Sequence, residues 1–170
     1  MSNIEFNLEE IRNEILNSPQ DSSVYIGSDS KVYSATDCQM VAYVTVIILH
    51  YGSSKGAKIF KAHKTAKYFG QIRQRLMDEV TEAISAGMAI SDVIENRKFE
   101  IHLDINRDER FKSAKLVKEA TGYVLGTLGL EPVLKPDSFA ASSVADKYCV
   151  KDAKKNQSMA KKKSKKNEKS

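Results

Sequence analysis

Tryptophan is absent from this chain of 170 residues, proline occurs three times and cysteine twice. Two cysteines, Cys38 and Cys149, supply neither a disulfide framework nor a metal knuckle. Long hydrophobic runs are missing as well. The longest, Val41 to Leu49, is interrupted by Thr45 and falls far short of the roughly 20 residues a membrane-spanning helix needs. The first residues are polar and acidic, without the charged-then-apolar order of a signal peptide. These absences exclude a disulfide-stapled secreted scaffold and an integral membrane protein, and they lead us to expect a soluble, cytoplasmic one.

What is present suits a single folded unit. Hydrophobic residues make up 41% of the chain, enough for one sizeable core at this length. The net charge of +5 is unevenly placed. From Lys151 onward nine Lys face only Asp152 and Glu168, a net of +7, so residues 1–150 carry −2. The basic character therefore belongs to the last twenty residues and says little about the folded part.

Asn7 followed by Glu10 has capping-box-like spacing, and Leu8, Ile11 and Ile15 share a helical face that ends near Pro19. A strand is expected over Val24–Asp29, a second over Met40–His50, and a hairpin partner from Lys58 to about Thr65 beyond the turn at 51–56. Lys58, Lys61 and Lys64 suit an exposed edge strand, although their spacing of three also suits a helix. From Gln71 to Ala86 the apolar period becomes helical, with Gly87 as the expected stop. Phe99–Ile105 is again a strand, and Lys112–Leu128 a helix in which Gly122 and Gly126 permit close approach. Val133–Leu134 is a short fifth strand, and Pro136-Asp137-Ser138 opens a last helix to about Cys149. The order implies an α/β fold, a mixed five-stranded sheet with helices on both faces. We expect residues 1–20 to be a helical extension, 21–150 the domain, and 151–170 a disordered Lys-rich tail.

Four acids stand in unusual places. Asp29 and Asp104 each lie at the end of an apolar strand, where ligand sites of α/β sheets gather, though either would also serve as a turn residue. Glu79 borders the apolar stripe of its helix, a position more often taken by a snorkelling surface residue. Asp146 shares a helical face with Phe139, Ser142, Ser143 and Cys149, mostly small side chains that let a helix approach a sheet; pairing with Lys147 on a solvated face is the alternative. Like-charged carboxylates converge in a half-buried site only when a cation neutralises them. Oxygen donors without clustered His or Cys favour Mg2+ or Mn2+ over Zn2+. Two such ions activate water and stabilise the leaving oxygen of a phosphodiester.

Other patterns fail on inspection. Asp104-x-Asn106-x-Asp108 imitates a calcium loop, but Glu109 stands where Gly is required and Lys115 where Glu is. Gly52-Ser-Ser-Lys-Gly56 lacks the ending of a phosphate-binding loop. Nothing supports a Ser or Cys nucleophile.

The succession of Gly-x-Asp on the first strand, Glu in the first helix after the hairpin, Asp ending the fourth strand and Asp in a closing helix resembles the ribonuclease H superfamily. Tyr25-Ile-Gly-Ser-Asp-Ser-Lys31, Ile101-His-Leu-Asp-Ile-Asn106 and the segment Lys135-Pro to Ala-Asp146 are similar to the bacterial YkuK family of ribonuclease H-like proteins. The resemblance covers about residues 20–150. It implies that Asp29 bridges two Mg2+ or Mn2+ ions, that Glu79 and Asp104 ligate them, and that Asp146 completes the site. His102, which shares strand parity with Asp104, is a weaker candidate beside the site or for substrate, a satisfied core or surface His being the commoner role; Asn106 is a lesser candidate for substrate or water contact. Asp29 is followed by Ser30 and Lys31, so the Asp-x-Glu of proofreading exonucleases is missing, as is the basic helical insertion of some hybrid-cleaving enzymes.

Arg107, Arg110 and Lys112 follow Asp104 closely and suit the rim of such a site; Lys58, Lys61, Lys64 and Lys67 offer another phosphate track. Either run also reads as a solvated face. The leading expectation is a metal-dependent nuclease acting on RNA, an RNA–DNA hybrid or branched DNA. The alternative is a non-catalytic nucleic-acid-binding or protein-interaction module on the same fold. The Lys-rich tail adds non-specific affinity for nucleic acid or meets a protein partner.

Overall fold

The computed structural model describes residues 5–53, 56–108, 110 and 115–167. Helix α1 (Leu8–Asn17) opens on Asn7, whose side chain accepts from the Glu10 amide at 3.3 Å, as the capping spacing predicts. Ile11 and Ile15 enter the main core beside Val24, Ile84 and Ile101. The first helix is therefore part of the domain's packing, and the expected border at residue 20 is no break. Buried Arg97 ties its end down, with Nη2 donating to the Ser18 carbonyl at 2.7 Å and Nε to Ser18 Oγ at 3.0 Å.

Strands β1 (Ser23–Ser34), β2 (Gln39–His50) and β3 (Ala57–Lys67) form an antiparallel meander. Helix α2 (Ile72–Met88), β4 (Lys98–Asn106), α3 (Val117–Leu128), β5 (Val133–Lys135), a π-helical turn (Ala140–Ala145) and α4 (Asp146–Asn167) follow. The sheet order is β3-β2-β1-β4-β5, with β4 parallel to both β1 and β5. This is the mixed five-stranded α/β sheet expected from the element order. Among the described residues no helix is long and apolar enough to cross a membrane.

Several local expectations need correction. Gly87 does not stop α2; the helix passes it, and its missing side chain makes room for Leu128, Ile101 and Phe99. Gly122 and Gly126 face open space and permit no close approach. The tight contact is at Gly27, where an added Cβ would stand 2.4 Å from the Ala141 nitrogen and 2.5 Å from the Ala140 carbonyl carbon. The Lys-rich segment expected to be disordered continues α4 through Asn167. Docking of Cys149 and Ala153 nucleates that helix, and Lys, Ala, Gln and Met propagate it with neither Gly nor Pro to interrupt.

The lysines of β3 form no single track. A spacing of three on a strand alternates faces. Lys58 pairs with Glu10 and Glu14, and Lys64 with Glu82 of α2. Lys61 instead lies over the Tyr148 ring of α4, on the opposite side.

Candidate functional site

Strands β1 and β4 pair in register only as far as Gly27 opposite His102. Asp29 and Asp104 stand two residues further along each strand. By the two-residue period they share a face, at the point where the strands part. The same face receives the π-helical turn and α4, because Gly27 offers no side chain to hold them off. A widened turn is a recurrent way to re-aim a helix at a functional site. Here it brings Asp146, the first residue of α4, close enough to Asp29 to raise its carboxyl.

The contact that permits this approach differs from the expected one. Ala140, Ala141 and Ala145 are buried against the sheet, whereas Ser143 is exposed and Ser142 only half-buried. Small residues do allow the approach, but alanines of the π turn supply it. Lys147 points to solvent.

Glu79 comes from α2, on the other face of the sheet. Ser30 Oγ donates to Glu79 Oε1, and Ser30 is the neighbour of Asp29 with the opposite orientation. Glu79 is 6% exposed, so it is no snorkelling surface acid. Its neighbour Asp78, which the helical wheel places on the wet side, accepts from the Tyr43 hydroxyl at 2.9 Å.

Burial pushes the Asp29 carboxyl up to about 7, reinforced by the charges of Asp104 and Asp146 and opposed by the Ser30 amide. Glu79 is raised well above the usual carboxylate range, by burial first and then by Asp29; Ser30 and Arg75 pull the other way. Asp29 thus feels Asp104 and Asp146, and Glu79 feels Asp29 and Asp104. Two cations moderate them: Arg75, whose buried Nε has no hydrogen-bond partner, and Lys135, whose Nζ is 2.7 Å from Asp104 Oδ1. That oxygen is buried, with the Lys135 ammonium as its ion-pair partner.

Buried carboxylates that repel one another form a donor set suited to a hard divalent cation. Among the described residues, no three His, Cys, Asp or Glu side chains already lie close enough together to hold a metal. The fit is one of donor chemistry alone: four carboxylates, the oxygen donors that such an ion takes.

The weaker candidates separate. His102 is 1% exposed and both ring nitrogens are engaged. Nδ1 accepts from the Ala140 amide at 3.2 Å, which assigns the ring proton to Nε2, 3.1 Å from Glu100 Oε2. Burial lowers its pKa. His102 therefore clasps the π turn to β4 and has no nitrogen left for a substrate. Asn106 accepts from the Asp108 amide at 3.0 Å, and Asp108 chelates the Arg110 guanidinium, so the calcium-like sequence is a local turn. Arg107 and Arg110 are exposed just past β4. Lys112 lies outside the described residues.

Sequence reasoning passed over Ser30, Arg75 and Lys135 as members of this site. Ser30 had a signal, since a residue beside Asp29 on a strand must face the opposite helix layer. Lys135 had one too, as the last residue of the strand next to β4.

Residues 7–150 match the sequence model of a family described as Ribonuclease H-like. The chain is 27% identical to "Uncharacterized protein YkuK" of Bacillus subtilis (strain 168) over 157 residues, 83% of this chain and 87% of that protein. Among solved structures it is similar to the NurA nuclease from Sulfolobus solfataricus, with 14% identity and a TM-score of 0.35. That match covers 73% of this chain and 46% of the NurA chain.

Proposed function

The chain belongs to the ribonuclease H-like family, and on that premise we propose that it is a divalent-metal-dependent nuclease that hydrolyses phosphodiester bonds. Asp29, Glu79, Asp104 and Asp146 would hold two Mg2+ or Mn2+ ions. The observation that carries this reading is the gathering of Asp104, Asp146 and Glu79, from β4, α4 and α2, around Asp29 of β1, whose carboxyl is raised to about 7 by burial and by Asp104 and Asp146. Such strain has no use in a surface that merely binds phosphate, because clustered negative charge repels it. Bound there, divalent ions supply an activated water and stabilise the leaving oxygen.

The protein's own residues have separable parts in this scheme. Asp29 is the central ligand, set at the point where the strands part. Ser30 orients Glu79 toward it. His102 and Gly27 seat the π turn, so that Asp146 completes the set. Arg107 and Arg110 lie exposed beyond Asp104, where a phosphate backbone enters. Helix α4 presents Lys151, Lys154, Lys155 and Lys161–Lys163 to solvent, a charged arm suited to nucleic acid in the cytoplasm. RNA, an RNA–DNA hybrid and branched DNA are the substrates to compare.

The test is cleavage of labelled single strand, duplex, hybrid and four-way junction in Mg2+, Mn2+ or chelator. Metal-dependent cleavage of one of them is expected, lost by about a hundredfold or more in the Asp29→Asn, Asp104→Asn double variant. Tight binding without cleavage under every metal, unchanged in the double variant, would leave a binding module instead.

A further inference from the structure

Lys135 ends β5, in register with Asn106 of β4 and immediately before Pro136. Its position carries an ammonium group into the acidic centre, 2.7 Å from Asp104 Oδ1. The contact is a close, charge-assisted ion pair to an oxygen that is itself buried, so the ammonium neutralises Asp104 at the point where a metal would approach it. The lysine side chain is also 39% exposed, whereas the Asp104 side chain is 22% exposed. The cation therefore has a path out to solvent.

We propose that Lys135 is a built-in counter-ion that holds the cation position at Asp104 until a divalent metal displaces it. This rests on the nuclease reading, because it concerns the same metal site. Ammonium and a divalent ion compete for one carboxylate oxygen, and their charges repel when both are close. Metal affinity is consequently lower than the four acids alone would give. Displacement frees the ammonium toward solvent, where it can meet an arriving phosphodiester.

The experiment is Mn2+ titration of the full chain, followed by electron paramagnetic resonance and by the shift of the thermal unfolding midpoint. Wild type is compared with Lys135→Met, Lys135→Arg and Asp104→Asn. The Lys135→Met protein, which keeps the length of the side chain, is expected to bind Mn2+ about tenfold more tightly. Lys135→Arg stays near wild type, and Asp104→Asn binds weakly. Equal or weaker Mn2+ binding in Lys135→Met overturns the counter-ion role and leaves the nuclease reading standing, provided Asp104→Asn still weakens it. Failure of every protein to bind Mn2+ overturns both. If Lys135→Met fails to fold, Lys135→Gln takes its place with the same expected direction.

Discussion

The two faces of the sheet are covered to different depths. On the α2 side, Val24, Ile26, Ile47, Leu49, Ile101, Leu103 and Ile105 meet Val80, Ala83, Ile84, Ala120 and Val124 in a thick aliphatic layer. On the α4 side, Ala42, Val44, Val46 and Ile48 meet Ala140, Ala145 and Cys149, mostly small residues. Large side chains hold a helix about 10 Å from a sheet and make stability; small ones bring backbone to backbone and make position. The acids collect where the thin layer is. Asp29, Asp104 and Asp146 are brought together by that close approach, and only Glu79 reaches the site from the thick side.

The largest effect expected from disturbing this contrast is at Gly27. A Cβ there meets the backbone of Ala140 and Ala141 at 2.5 Å or less, and backbone cannot step aside as a side-chain tip does. Gly27→Ala should cost about 3 kcal/mol in urea unfolding. It should also abolish cleavage, because α4 must rise and take Asp146 with it. Wild-type stability in this variant would mean that the helix is not seated on the glycine.

Adjacent residues of β4 allow a sharper comparison, since Ile101 faces the thick layer and His102 the thin one. His102→Leu leaves the buried Ala140 amide without an acceptor and should cost about 2 kcal/mol. Ile101→Val removes one methylene and should cost about 1 kcal/mol. Single-turnover cleavage separates the faces. His102→Leu should slow it, through a loosened π turn, while Ile101→Val should not. Equal slowing by both would erase the distinction.

The thick layer was legible in the sequence because burial there follows simple periods. Val80, Ala83 and Ile84 recur at helical spacing, and Val24 and Ile26 alternate along a strand. Strand and helix order and the Asn7 cap were readable for the same reason. The thin layer was not. Its turn is π-helical, so a regular helical wheel counted Ser142 and Ser143 inward where Ala141 and Ala145 are buried. Glu79 was read as a border residue because its hydroxyl partner lies forty-nine positions away in sequence. The Lys-rich segment was read from composition alone, and composition ignores that a docked helix needs no further nucleation to continue.

The smallest effects come from the glycines that the sequence made prominent. Gly126 meets nothing within 4 Å, so Gly126→Ala should stabilise α3 by nearly the full helix-propensity difference, about 1 kcal/mol. Gly87 sits in the thick layer and is the informative counterpart of Gly27. An added Cβ would stand 2.9 Å from Leu128 Cδ1 and 3.2 Å from Ile101 Cδ1, both free ends of flexible side chains. The propensity gain in α2 is offset by displacing those tips, and Gly87→Ala should change stability by less than about 0.5 kcal/mol. Urea midpoints of the three alanine variants measure the same added methyl group against backbone, side-chain tips and open solvent. A loss at Gly87 as large as that at Gly27 would show that the thick layer is as unyielding as the thin one, and depth of packing would then not explain where the acids gather.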